Sequence, residues 1–307
     1  IPYGEYTLKE DETNSVKYLK MDEQVIQMHN SQQTYTYRVI VADNRLELFL
    51  RVQKIDKDTN EPVMLKGAKF KIWDVENKEW VTLMETPSGE MISEFETNEE
   101  GYFITPQAIK SGEYVIYETK SPDGYYLEDD YRVPEDESKL GEGGIKVTLS
   151  TQIEVEEDDS GNLIYTAQVQ ERPLKGKLEI YKTGEVLTNV KNTTTDYGEK
   201  FTPVWQERGL AGVTYEIYAA EDIKSPDGRV TYVTKGTKVD TITTGEDGYA
   251  ISKELYLGEY EVKEVDAPDG YQTNNDIENV VLENEDELVR VQKTEKEYSN
   301  ERQKFEI

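Results

Sequence analysis

The 307-residue sequence contains no cysteine and a single histidine, His29. Without thiols there is no disulfide framework, and stability outside the cell would have to come from something else. One histidine and no thiol also exclude Cys/His zinc sites and Ser-His or Cys-His catalytic pairs. Basic residues are scarce: 35 Lys and Arg against 64 Asp and Glu leave a formal net charge of −29. Phosphate affinity depends on basic side chains, so this balance rules out a non-specific nucleic-acid binder and argues against docking on anionic lipid. No apolar run approaches the about 18 residues of a membrane helix, and no charged-then-apolar leader opens the chain. No phosphate-cradling glycine loop is present. Ile1-Pro2-Tyr3-Gly4 reads as the middle of a fold. The expectation is a segment of a longer protein, whose export signal and anchor lie outside it.

What is present is a repeat. Gly112-Glu113-Tyr114-Val115-Ile116-Tyr117-Glu118, followed by Ser121-Pro122-Asp123-Gly124-Tyr125, recurs as Gly258-Glu259-Tyr260-Glu261-Val262-Lys263-Glu264 and Ala267-Pro268-Asp269-Gly270-Tyr271. Its first half appears once more as Gly4-Glu5-Tyr6-Thr7-Leu8-Lys9-Glu10. Upstream, Thr97-Asn98-Glu99-Glu100-Gly101-Tyr102 matches Thr244-Gly245-Glu246-Asp247-Gly248-Tyr249, and Leu65-Lys66-Gly67-Ala68-Lys69-Phe70 matches Leu210-Ala211-Gly212-Val213-Thr214-Tyr215. At the head, Leu50-Arg51-Val52-Gln53-Lys54 matches Leu178-Glu179-Ile180-Tyr181-Lys182. The period, Lys54 to Lys182, is near 128 residues, the length of a whole domain rather than of a solenoid repeat. The chain parses as the C-terminal part of an upstream unit (1–46), a full unit (47–173), and a second unit (174–307) running toward a further one.

Each unit is a series of short alternating runs bounded by Gly, Pro, Asn and Asp. Leu48, Leu50 and Val52 share one strand face, as do Phe70 and Ile72, Tyr114 and Ile116, and Tyr260 and Val262. No stretch carries helical periodicity over three turns. About seven short strands per unit predict an all-β fold of tandem antiparallel β-sandwiches, beads on a string. Between Lys182 and Leu210 lie 27 residues, against 10 in the first unit, which predicts a long loop or an extra hairpin. Residues 126–162, rich in acid and glycine, read as an extended excursion.

A period-2 count places Lys54 and Lys182 at the end of an apolar face, and Glu118 and Glu264 at the end of another. The ordinary reading is a strand-end lysine reaching solvent beside a rim glutamate. Recurrence in both units weighs against it, because buried charges are costly unless paired or neutralised. Desolvation lowers a lysine pKa and raises a glutamate pKa, giving a neutral amine beside a protonated acid. Such a pair can attack a third group, a nearby carboxamide or carboxyl.

These blocks resemble the collagen-adhesin B-type (SpaA-type pilin) domains of Gram-positive cell-surface proteins, over nearly the entire chain. The resemblance is carried by Val52-Gln53-Lys54-Ile55-Asp56, by Leu-x-Gly-x-x-Phe/Tyr-x-Ile, and by Tyr-x-aliphatic-x-Glu followed by Pro-Asp-Gly-Tyr. It implies an immunoglobulin-like, prealbumin-like sandwich. It also implies a spontaneous isopeptide bond between a first-strand Lys and a last-strand Asn or Asp, assisted by the Glu. Carried over, the second unit has Lys182, the assisting Glu264 and the acceptor Asn300. The first unit has Lys54 and Glu118, but its acceptor departs from the pattern. Alignment on the junction gives Gln170, and distance to the following Lys gives Glu171. Either is one methylene longer than the family's residue, so an ion pair in place of an amide is the alternative there. The partial unit offers Glu10 with Asp43 or Asn44 and lacks its lysine.

The implied role is a structural stalk outside a Gram-positive cell, on the wall surface. It is monomeric, is not an enzyme beyond one autocatalytic bond per unit, needs no cofactor or metal, and has neighbouring B-type domains as partners. Two other readings stand beside it. One is an adhesin module using residues 126–162 or 183–209 to bind a host extracellular-matrix protein or a glycan. The other is a pilus shaft subunit, which requires a sorting signal of Leu-Pro-x-Thr-Gly type that these residues do not contain. Asp56-Lys57-Asp58-Thr59-Asn60 opens like a calcium loop, but Glu61 stands where an EF-hand needs Gly, so a turn is expected.

Overall fold

The computed structural model describes residues 1–11, 16–29, 36, 38–39, 44–284 and 286–303. Among them there is no α-helix; two single 3-10 turns, Asp129–Tyr131 and Glu137–Lys139, interrupt an otherwise β chain. The chain divides into two compact units. The first comprises residues 1–56, 60–122 and 127–171, and the second 57–59, 123–126 and 172–307.

In the first unit, one sheet has Glu47–Asp56 between Ile109–Lys110 and Leu163–Pro173, with Tyr102–Ile104 also paired to it. The other sheet runs Ile145–Leu149, Gly112–Lys120, Lys69–Asp74, Glu79–Trp80. Leu48, Leu50 and Val52 from the first sheet meet Phe70, Ile72, Tyr114 and Ile116 from the second in one buried cluster. Period-2 alternation explains this: the same strands turn Arg51, Gln53 and Lys71 outward. The ladder joining Glu47–Asp56 to Leu163–Pro173 is parallel, whereas the other named strands of the unit pair antiparallel.

The second unit repeats the plan. Lys175–Thr195 pairs with Gly198–Gly209, Tyr249–Ile251 and Leu255–Tyr256, and runs parallel to Val291–Asn300. Facing it, Lys238–Thr243, Thr214–Ala219, Gly258–Asp266 and Ile277–Leu282 form the second sheet. Leu178, Ile180, Tyr215, Ile217, Tyr260 and Val262 fill the space between.

The 27-residue interval is a hairpin continuous with the Lys182 strand: from Thr183↔Gly209 to Thr195↔Gly198 the two arms pair along their length, with one register shift near Leu187. The 126–162 segment is an excursion only in part. Ile145–Leu149 is a sandwich strand against Gly112–Lys120, with Val147 and Leu149 buried. Its alternation Ile145, Val147, Leu149 lies inside acid- and glycine-rich flanks, which mask a short strand signal. Residues Asp56 to Asn60 close as a turn, the Asn60 amide donating to the Asp56 carbonyl at 2.7 Å.

Within the first unit, Gly4–Leu8 and Gln24–Met28 form a separate antiparallel pair. The three Gly-Glu-Tyr copies share one detail. Tyr6, Tyr114 and Tyr260 each donate a hydroxyl hydrogen bond to the carbonyl four residues back, at 2.7, 2.7 and 2.6 Å.

Candidate functional site: a lysine and a glutamate inside each sandwich

Each candidate lysine lies where its strand's apolar face ends, and the fold does not let it out. Lys54 is 0% and Lys182 1% exposed, among the largest fully buried side chains of the chain. Their backbones are held by the glycine of the repeated Gly-Tyr block. Lys54 N donates to Gly101 O at 3.2 Å, and Lys182 N to Gly248 O at 2.8 Å. Both glycines have positive φ, 75° and 79°. A Cβ at Gly248 would stand 2.2 Å from the Lys182 carbonyl oxygen, and one at Gly101 1.6 Å from that of Val63. Only glycine allows this approach.

In the second unit Glu264 bridges the amine and the carboxamide. Lys182 Nζ donates to Glu264 Oε2 at 2.9 Å, and Asn300 Nδ2 donates to Glu264 Oε1 at 2.7 Å. The Asn274 amide also reaches Oε1, at 3.2 Å, and the Tyr215 hydroxyl reaches Oε2 at a long 3.4 Å. Tyr215 and Tyr298 stack with ring centroids 5.8 Å apart, and the ammonium lies 5.8 and 5.7 Å from the two rings. Burial, and for Tyr215 the Glu264 charge as well, keeps both phenols neutral: Tyr215 is pushed far up and Tyr298 up to about 12. The result is a wall of two aromatic rings beside a buried ion pair and a buried carboxamide.

This arrangement has a defined chemical capacity. Proton transfer along the 2.9 Å contact converts the ammonium to an amine and the carboxylate to an acid. The other oxygen of that carboxyl touches the carboxamide nitrogen of Asn300. One carboxyl can therefore exchange protons with both the amine and the carboxamide.

The first unit repeats the register. Lys54 pairs with Val169 and Lys182 with Tyr298, so Glu171 and Asn300 both lie two residues past the lysine's partner. Likewise Glu118 pairs with Phe70 and Glu264 with Tyr215. Strand alternation turns Ala167, Val169 and Glu171 inward and leaves Gln170 half-buried on the other face. Geometry thus brings Lys54, Glu118 and Glu171 together and leaves Gln170 out. The site holds three ionisable side chains, each 1% exposed or less. Burial pushes the Glu171 carboxyl up to about 7, against the Lys54 charge and a hydrogen bond with Glu118, both of which lower it.

Among the described residues, Glu10 and Asn44 of the partial unit form no comparable cluster. The Glu10 carboxylate accepts from the Met21 amide at 2.8 Å, Asn44 is exposed, and Asp43 lies outside the described residues. Sequence reasoning did not single out Tyr215 and Tyr298, which wall the second site. Their signal was available: both share the inward parity of Ile217 and of Asn300. Among the described residues no group of three or more His, Cys, Asp or Glu side chains could hold a metal ion, and no helix is long and apolar enough to cross a membrane.

A family model described as the SpaA prealbumin-like fold domain matches residues 49–148 and 199–297, together well over half of the chain. The trypsin-resistant surface T6 protein of Streptococcus pyogenes serotype M6 is 42% identical over 45 residues, 15% of this chain and 8% of that protein. Among solved structures, the Bacillus anthracis TIE protein is 18% identical with a TM-score of 0.44, over 98% of this chain and 42% of that one. A streptococcal ancillary pilin is 19% identical with a TM-score of 0.28, over 99% of this chain and 76% of that one.

Proposed function

The chain belongs to the SpaA prealbumin-like fold family, with two matched domains in tandem, and on that premise we propose that it is a stalk segment of a Gram-positive cell-wall surface protein, locked by intramolecular isopeptide bonds. The observation that carries the reading is the Lys182–Glu264–Asn300 contact chain, sealed from water. Buried charge of this kind is poor value as a stability device alone, since a well-packed apolar replacement is often as stable. It makes sense as the precursor of a reaction.

In that reaction Glu264 Oε2 takes a proton from Lys182 Nζ, and the amine attacks Asn300 Cγ. The C–N bond to Nδ2 breaks as Glu264 passes that proton to the nitrogen and ammonia leaves; the proton shed by the new amide nitrogen returns to Glu264, which ends neutral, and an amide joins the two side chains. It happens once per molecule, so it is maturation and not turnover. The bond ties the first strand of the unit to its last, which run parallel. Tension applied along the chain then meets a covalent link rather than a hydrogen-bond ladder. A Cys-free exported chain gains by this route what disulfides provide elsewhere. The 1–46 segment is read as the end of an upstream unit, supported by the shared Tyr6 hydrogen bond.

Intact mass under denaturing conditions, followed by peptide mapping, tests the reading. A loss of one ammonia mapped to Lys182 joined to Asn300 is expected. An unmodified Asn300 in folded protein would overturn the bond.

One observation favours a second reading, an adhesin module. Beyond Glu185 the hairpin carries Leu187, Val190 and Phe201 exposed, and its arms pair only with each other among the described residues. Unpaired edges of that kind accept an extended peptide as an added strand. Loss of host-protein binding on removing residues 188–204 would support it, and binding that survives the removal would not.

A further inference from the structure

The strand that carries the acceptor leaves its ladder at Asn300. Up to that residue Val291–Asn300 runs parallel to the lysine strand, with Asn300 opposite Gly184 as the last pair. The residues that follow pair elsewhere. Arg302 bridges Tyr271, the Gln272 amide donates to the Glu301 carbonyl at 3.1 Å, and the Gln303 amide donates to the Gly270 carbonyl at 2.8 Å. Strand ends open most readily, so the placement of the carboxamide depends on what fastens the residues after it.

The base of the long hairpin fastens them. The Arg302 guanidinium carbon lies 3.7 Å from the centre of the Trp205 ring, and its Nε and Nη2 both donate to Glu185 Oε2 at 3.3 Å. In the hairpin ladder Glu185 pairs with Glu207 and Leu187 with Trp205. The carboxylate and the indole are therefore diagonal neighbours on one face of the ribbon. The Tyr271 hydroxyl donates to the Glu185 carbonyl at 2.8 Å, which ties the same hairpin residue to the segment that Arg302 bridges. Gly184 leaves room for this: a Cβ there would stand 3.1 Å from the Tyr271 ring and 3.5 Å from the Asn300 carbonyl oxygen.

The matched place in the first sandwich is built differently. Glu171 is opposite Asp56 where Asn300 is opposite Gly184. Two residues on, Pro173 is opposite Tyr125 where Arg302 is opposite Tyr271. Proline can make neither the ion pair nor the stack. Lys57 follows Asp56 where Glu185 follows Gly184, and the short interval between Lys54 and Leu65 has no hairpin to supply an indole. The arginine, the glutamate and the tryptophan occur together, in the unit that has the ribbon.

An ion pair this exposed does little for stability: the Arg302 and Glu185 side chains are 26% and 46% exposed. Its value lies in where it sits. A misplacement of about 1 Å at a reacting group can cost about a hundredfold in rate. We propose that Arg302 is a positioning residue for the Lys182–Asn300 bond: by bridging Glu185 and Trp205 it fastens the acceptor strand to the hairpin base and holds the Asn300 carboxamide against Glu264. Its side chain contacts Glu185 and Trp205 and acts on the reaction through them. The base of the ribbon is thereby part of what places the acceptor, whatever the outer part of the ribbon does. The inference rests on the isopeptide reading of the second unit and adds to it a residue outside the buried cluster.

The full chain, recovered unfolded and refolded under one condition, tests this by mass and peptide mapping against time. In R302A, ammonia loss at Lys182–Asn300 should slow by about tenfold or more. R302K keeps the charge but loses the planar group that stacks on the indole, and should fall between R302A and the parent. E185A should slow the reaction as well, and E185A/R302A should be no slower than R302A, because the two side chains act through one contact. R290A breaks another partly exposed ion pair of the unit, Arg290–Glu254, and should react at the parent's rate. An N300A background, which cannot form the bond, separates position from stability: N300A and N300A/R302A should unfold at closely similar temperatures. R302A reacting as fast as the parent overturns the proposal and leaves the isopeptide reading standing. Additive slowing in E185A/R302A overturns the shared clamp. A slowing shared equally by R290A, or an N300A/R302A chain that no longer folds, makes Arg302 a residue of the fold and overturns its positioning role. Absence of ammonia loss in the parent overturns this proposal and the isopeptide reading together.

Discussion

Lys182 Nζ lies 2.9 Å from Glu264 Oε2, and the two side chains are 0% and 3% exposed. An ion pair so enclosed makes Glu264 indispensable to the chemistry rather than to the fold alone. In E264Q the amide can still accept from Lys182 but cannot take its proton. Ammonia loss at Lys182–Asn300 should slow by at least about a hundredfold, the usual share of a positioned acid–base group. The variant also leaves a buried ammonium without a counter-charge, costing roughly 3 kcal/mol or more. Mass spectrometry reads the first effect and thermal unfolding the second.

Gly248 gives a purely geometric prediction. In G248A the Cβ must displace the Lys182 carbonyl, 2.2 Å away, from a backbone already at φ 79°. Strain at one such residue costs about 1–3 kcal/mol, and the closed backbone approach adds to it. G212A is the control: its φ is 81°, but the nearest contact to a new Cβ is 3.9 Å. G248A should lower the melting temperature more than G212A and also slow ammonia loss, because the displaced carbonyl belongs to the nucleophile.

Much of this site is legible in the sequence itself. The alternation ending in Lys54 and Lys182, and that ending in Glu118 and Glu264, placed all four side chains, because a pleated strand has a period of two and no freedom to change it. That a loop or a hairpin stands between Lys182 and Leu210 followed from a difference in spacing, which does not choose between the two; the ladder shows the hairpin. The choice between Gln170 and Glu171 did not follow from the sequence, since it depends on which residue of the last strand shares parity with Val169, and no gap-free count from Glu118 reaches that strand. Ile145–Leu149 was hidden by its acidic neighbours. Tyr215 and Tyr298 become the wall of the site only through the pairings of four strands, which set Tyr215 opposite Glu264 and Tyr298 opposite Lys182.

Removing the amine of the first unit turns its acid pair into a pH-dependent load. Glu171 keeps its proton up to about 7 in the folded unit but loses it near 4.5 when unfolded. Between those values the folded state holds the extra proton, so stability falls as pH rises, by on the order of 3 kcal/mol in all. In K54M the lysine's lowering effect is gone, and the window extends above 7. Unfolding midpoints across this range should decline in K54M, and K54M/E171Q, which removes the titrating acid, should show a flatter profile.

The projecting hairpin should be dispensable to the sandwich. Leu187 and Trp205 stand opposite each other, so replacing residues 188–204 by an Asn-Gly turn closes the ribbon at its base. The deleted side chains are largely exposed, and Trp205, with Arg302 at 3.7 Å over its ring, is kept. Melting temperature and ammonia loss should match those of the intact chain. A large loss of either would make the ribbon part of the fold.

The most direct test of the contrast between the units is to give the second the acceptor chemistry of the first. In N300D a carboxyl replaces the carboxamide at the same register, two residues past the lysine's partner. The leaving group changes from ammonia to water, so the acceptor must be protonated to react. Burial beside Glu264 raises a carboxyl, because two adjacent acids cannot both ionise cheaply out of water. The single charge of Lys182 balances only one of them. Water loss between Lys182 and the introduced carboxyl should therefore appear below neutrality and slow as pH rises, while the parent chain loses ammonia across the same range. If N300D folds and loses no water at any pH, a carboxyl at this register does not react and the carboxamide is what the second site requires.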